Sequence, residues 1–96
     1  MFKPIENQKE IYDLFIKKLS VEKQQLKVAE ECNELGKEII KYYLNPSKNR
    51  MDKILDETGD VLNAIDSFCY IHNISIDDIH KARIKKLQNT FNKMKN

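Results

Sequence analysis

The chain has little of what a strand-rich protein uses to turn. It holds two glycines and two prolines in 96 residues, and no tryptophan. With 33% charged and 41% hydrophobic residues, that composition suits packed helices rather than sheets. No glycine-rich phosphate loop is present, which excludes a P-loop nucleotide site. A net charge of +2 is too balanced to support an electrostatic case for nucleic acid as a partner. No apolar run approaches ~18–20 residues, so no membrane span or membrane partner is expected. The start, Met1-Phe2-Lys3-Pro4-Ile5-Glu6, turns polar at once and does not read as a signal peptide. Cys32 and Cys69 lack Cys-x-x-Cys spacing and fall on apolar faces, so both are expected as reduced core residues of a cytoplasmic protein. The length suffices for one domain, residues 1–96.

What is present is helical periodicity. Residues ~5–19 read as a first helix, with Pro4 placed for its start and Ile5, Ile11, Leu14, Phe15 and Leu19 loosely sharing a face. Tyr12 sits at the edge of that face; the helix reads as a short one closing the bundle, with a share in a substrate pocket through Tyr12 or Phe15 as the alternative. Ser20 is a good N-cap for a second helix running to about Leu44, where Asn45-Pro46 ends it. Ser47 or Asn49 can cap a third, continuing to about His72. Ser75 precedes a fourth over ~76–93 that carries no acid from Ile79 onward and is rich in lysine. The expected architecture is an all-α antiparallel bundle of about four helices. A chain this short has little interior, so self-association is expected to complete the core.

The second helix carries Ala29-Glu30-Glu31-Cys32-Asn33-Glu34-Leu35-Gly36-Lys37-Glu38-Ile39. Val28, Cys32, Leu35 and Ile39 make an apolar face, and Glu31, Glu34 and Glu38 recur along its flank. Asp56-Glu57-Thr58-Gly59-Asp60 repeats the spacing of Glu30-Glu31-Cys32-Asn33-Glu34, on a helix whose apolar face includes Ile54, Val61, Leu62 and Ile65. The short breaker Asn45-Pro46-Ser47-Lys48-Asn49 implies antiparallel neighbours. Each acid cluster lies ~8–12 residues from that turn, so at 1.5 Å per residue they stand nearly level. Glu31, Glu34, Glu57 and Asp60 are therefore expected to converge. Converging carboxylates repel unless a cation offsets them, and an oxygen-only ligand set suits Mg²⁺, with Mn²⁺ as a substitute. Gly36 and Gly59 each sit beside a cluster, where close helix approach or simple tolerance would explain them.

These motifs resemble those of the MazG-like all-α nucleoside triphosphate pyrophosphatases, of the MazG and dimeric dUTPase-like superfamily. The resemblance rests on Glu-Glu-x-x-Glu at 30–34 and Glu-x-x-Asp at 57–60. It extends to Gln25-Leu26-Lys27-Val28-Ala29 before the first motif, Val61-Leu62 after the second, and Lys85-Lys86-Leu87-Gln88-Asn89 near the end. It covers roughly residues 20–93. It implies hydrolysis between the α- and β-phosphates of a nucleoside triphosphate, giving monophosphate and pyrophosphate, in a homodimer or homotetramer.

Under that resemblance Glu31, Glu34, Glu57 and Asp60 are the metal ligands. Lys27 and Lys53, each one turn before a ligand, are candidates for the triphosphate oxygens. As bare i,i+4 pairs they stand in the poorer order, lysine before glutamate. Lys85, Lys86 and Asn89 are candidates for phosphate or base contact; a solvated helix end explains them equally. Glu30 and Glu38 are the candidate catalytic carboxylates, with a solvated face as the plainer account. Two other readings keep the same residues: a protein that binds or sequesters a nucleotide without turnover, and a helical interaction module whose acids are only solvated.

Overall fold

The computed structural model describes residues 5–95. It is an all-α bundle of four helices: α1 (Gln8–Lys18), α2 (Val21–Leu44), α3 (Lys48–Ile71) and α4 (Ile76–Lys95). Local chemistry sets the boundaries. Ser20 Oγ accepts from Lys23 N at 3.1 Å to start α2, and Ser47 Oγ accepts from Arg50 N at 3.1 Å to start α3. Ser75 Oγ accepts from Asp77 N at 3.0 Å ahead of α4. The first helix begins later than expected, because Asn7 takes a left-handed conformation (φ 61°) as its N-cap. Pro4 lies outside the described residues. None of the described helices is long and apolar enough to cross a membrane.

α2 and α3 form an antiparallel hairpin, and this pair is the body of the fold. Gln24 near the start of α2 meets Ser67 near the end of α3, while Glu31 meets Glu57 and Asp60 further toward the turn. The face that α2 turns to α3 is rotated from the expected one. Gln24 and Glu31 are buried and Val28, Glu34, Leu35 and Glu38 half-buried, whereas Cys32 and Ile39 are exposed. Cys69 is buried as expected, and both cysteines are free; Cys32 is not a core residue. Rotation toward the acids leaves Leu26, Ile39, Ile40 and Tyr43 on an uncovered apolar surface.

α1 lies against α3, and polar groups rather than its apolar face hold it there. Tyr12, expected at the edge, is the residue α1 buries, while Ile11, Leu14, Phe15 and Leu19 stay exposed. Asp66 of α3 explains the difference. It accepts from Tyr12 Oη at 2.6 Å and also from Gln8 Nε2, while Tyr70 Oη donates to Asp13. Burial, then the Asp66 carboxylate, pushes the Tyr12 phenol pKa above its ordinary value. α4 buries none of its residues, and Leu87 and Phe91 are exposed on it. The radius of gyration, 16.1 Å, accordingly exceeds the about 13 Å of a compact domain of this length.

The glycines do not mark close helix approach: a Cβ at Gly36 or Gly59 would have nothing within 4 Å, and neither has a positive φ. Both are tolerated helix-interior glycines. Gly36→Ala and Gly59→Ala are each expected to raise stability by ~0.5–1 kcal/mol. The urea midpoint measures this; a lower midpoint would mean that something occupies the space beside these positions.

Candidate metal centre

The heptad spacing of α2 stacks Gln24, Glu31 and Glu38 two turns apart, and Asp60 and Ser67 stand in the same relation on α3. The hairpin turns these polar stripes toward one another. One carboxylate oxygen each from Glu31, Glu57 and Asp60 lies within 4.8 Å of the others. Glu31 is 8% exposed, Glu57 half-buried and Asp60 exposed, so the cluster is open on the Asp60 side. Glu34 stands outside this trio. It pairs with Lys37 at 3.4 Å on a partly exposed surface, yet its charge still acts on Glu57.

Two features show that the trio fits a cation. Glu57 Oε2 is buried without a hydrogen-bond partner, an unfavourable state for a carboxylate. Burial first, then the charges of Glu31 and Asp60, raise the Glu57 pKa above its ordinary value. Lys27 supplies part of the offset, with Nζ 3.0 Å from Glu31 Oε1. That bond and the Glu31 charge raise the Lys27 pKa in turn. A hard divalent cation suits three carboxylate oxygens with no nitrogen or sulfur donor among them.

The other residues singled out in the sequence scatter. Glu38 is half-buried, with Oε1 3.4 Å from Lys41 Nζ and Oε2 buried without a partner. Glu30 is exposed and borders an outward hollow with Asn33 and Lys37. Lys53 borders a polar hollow at the α2–α3 turn with Lys41 and Arg50. Lys85, Lys86 and Asn89 are exposed on α4, and the fold does not bring them to the acids within one chain.

Sequence reasoning missed Gln24 and Ser67. Ser67 Oγ donates to Gln24 Oε1 at 2.9 Å, and both residues are buried. Their seven-residue offset from Glu31 and Asp60 was the available signal. They border a cavity of about 350 Å³ together with Phe15, Leu19, Lys27 and Asp60, so it shares two residues with the acid cluster and its ion pair.

A group that binds its proton more tightly when folded stabilises the fold below its unfolded pKa, and that contribution is lost as pH rises through the folded value. Glu57 is such a group, raised from an ordinary 4.5. Without divalent cation, the thermal midpoint is expected to fall as pH rises above 4.5 through the raised Glu57 pKa. A divalent cation that binds the folded state alone is expected to restore the midpoint, with Mg²⁺ and Mn²⁺ as the ions to try. Melts with and without chelator measure both effects. Glu57→Gln should flatten both, and a wild-type midpoint indifferent to cation would remove the centre.

No curated protein and no solved structure shows a significant match to the chain. A family profile, the MazG nucleotide pyrophosphohydrolase domain, matches residues 19–94, which takes in α2, α3, both acid motifs and nearly all of α4. The chain belongs to the MazG nucleotide pyrophosphohydrolase family.

Proposed function

We propose that the protein is a Mg²⁺-dependent nucleoside triphosphate pyrophosphohydrolase. It cleaves between the α- and β-phosphates to release nucleoside monophosphate and pyrophosphate, in the service of nucleotide-pool control. The observation that carries this reading is the meeting of Glu31, Glu57 and Asp60 oxygens within 4.8 Å across the hairpin, with an unpartnered buried oxygen on Glu57.

Glu31, Glu57 and Asp60 would hold the cation, and Glu34 would join them. Its pair with Lys37 is partly exposed and so costs little to break. A cation held there supplies charge neutralisation, polarisation of phosphate oxygens and a more acidic water. Lys27 is tied to Glu31 in the free protein, and transfers its charge to the phosphate tail as substrate enters. Lys53, nearer the turn, serves the far end of that tail. Glu38, with a free buried oxygen two turns from Glu31, can accept a proton from water; exposed Glu30 is the weaker candidate for that role. In this reading water, rather than a protein side chain, is the nucleophile.

Lys85, Lys86 and Asn89 would reach a site only from another copy, since α4 packs so little on its own chain. The exposed apolar surface of α2 and α4 is the natural seam for a homodimer or homotetramer.

The test is release of pyrophosphate and monophosphate from a panel of ribo- and deoxyribonucleoside triphosphates with Mg²⁺. Glu31→Gln and Asp60→Asn are each expected to lower kcat/KM by at least ~100-fold, the scale set by losing one group that stabilises transition-state charge. Far-UV circular dichroism should be unchanged. Tight nucleotide binding with no product from any member would replace this reading with sequestration.

A further inference from the structure

The cavity beside the acids contains a donor with nothing to donate to. Its lining runs from exposed Lys27 and Asp60 to buried Gln24 and Ser67, each of the last two 6% exposed. Phe15, Leu19 and Ala64 supply apolar wall, and exposed Asn63 completes the lining. At about 350 Å³ it stands at the small end of ligand sites, with room for a flat heterocycle but not for a whole nucleoside triphosphate. Ser67 Oγ donates to Gln24 Oε1 at 2.9 Å, so the acceptor of that amide is in use. Gln24 Nε2 is buried and has no partner. A buried amide donor left unpaired is unfavourable, and a ligand acceptor in the cavity would relieve it.

We infer that this cavity receives the base of the nucleotide, and that Gln24 is a specificity-determining residue that donates to a carbonyl on the base. The inference rests on the nucleotide reading proposed above. A nucleotide whose phosphates lie at Glu31, Glu57 and Asp60 places its base in the adjoining cavity, with the edge remote from the sugar at the buried end. That edge bears a carbonyl oxygen in uracil, thymine, hypoxanthine and guanine, and an amino group in cytosine and adenine. Oε1 already accepts from Ser67, so the group that Gln24 has left without a partner is a donor, which a carbonyl can satisfy and an amino group cannot. Oxo bases are therefore selected over amino bases. Phe15 offers a ring for the base to stack on. Ser67 is a positioning residue: it holds Oε1 and leaves Nε2 as the unpaired end of the Gln24 amide.

Matched pairs of triphosphates test this: UTP against CTP, and ITP against ATP, with Mg²⁺. Wild-type protein is expected to favour the oxo member of each pair by roughly 10- to 100-fold in kcat/KM, the range expected when one buried hydrogen bond is made or lost. Gln24→Met should bring each ratio close to one, chiefly by lowering kcat/KM for the oxo member. Ser67→Ala frees Oε1 and should narrow the ratios in the same direction. Equal rates for the two members in wild type, a preference for the amino member, or a Gln24→Met protein that loses both members equally would overturn the inference. If Gln24→Met does not fold, the wild-type and Ser67→Ala ratios decide. If none of the four is hydrolysed, equilibrium binding of the same pairs with Mg²⁺ measures the same ratio and judges the cavity separately from the enzyme reading.

Discussion

Negative charge brought together across the α2–α3 seam is the constraint that orders this protein. Glu31, Glu57 and Asp60 stand close enough to repel, and Glu34 adds its charge from one turn away. Helices selected only for stability would place apolar side chains at that level. Here α2 turns its carboxylate flank inward instead and leaves leucine, isoleucine and tyrosine outside. The repulsion is offset locally by Lys27. Acid cluster and fold are thus one construction: the hairpin holds the acids level, and the face of α2 that it buries is the one that carries Glu31.

The same choice explains how open the single chain is. Residues that would have filled a closed bundle remain at the surface of α2, and α4 extends without burying any side chain. A hydrophobic surface of this kind on so small a domain is met by association more readily than by solvent.

The fold was readable because helix signals in this chain are local. Ser20 and Ser47 cap where an N-cap was expected, and Asn45-Pro46 forces the turn that sets the antiparallel register. The acid spacing was readable for the same reason, since i, i+3 and i+7 fix which side chains share a stripe. What stayed hidden depends on contacts across the chain. Periodicity placed Cys32 inside and Tyr12 at an edge, but the partner of Tyr12 is Asp66, 54 residues away. The Gln24–Ser67 pair was overlooked because neither side chain is charged or apolar. Only the hairpin shows that the two meet.

α1 is fastened to the rest by Gln8, Tyr12 and Asp13, through bonds to Asp66 and Tyr70, with most of its aliphatic residues outside. A segment attached by a few polar bonds opens at lower free energy than one embedded in a core. Phe15 on that segment forms part of the cavity wall, whereas the carboxylates belong wholly to α2 and α3. Local opening of α1 would therefore move one wall of the cavity without displacing the helices that carry the carboxylates.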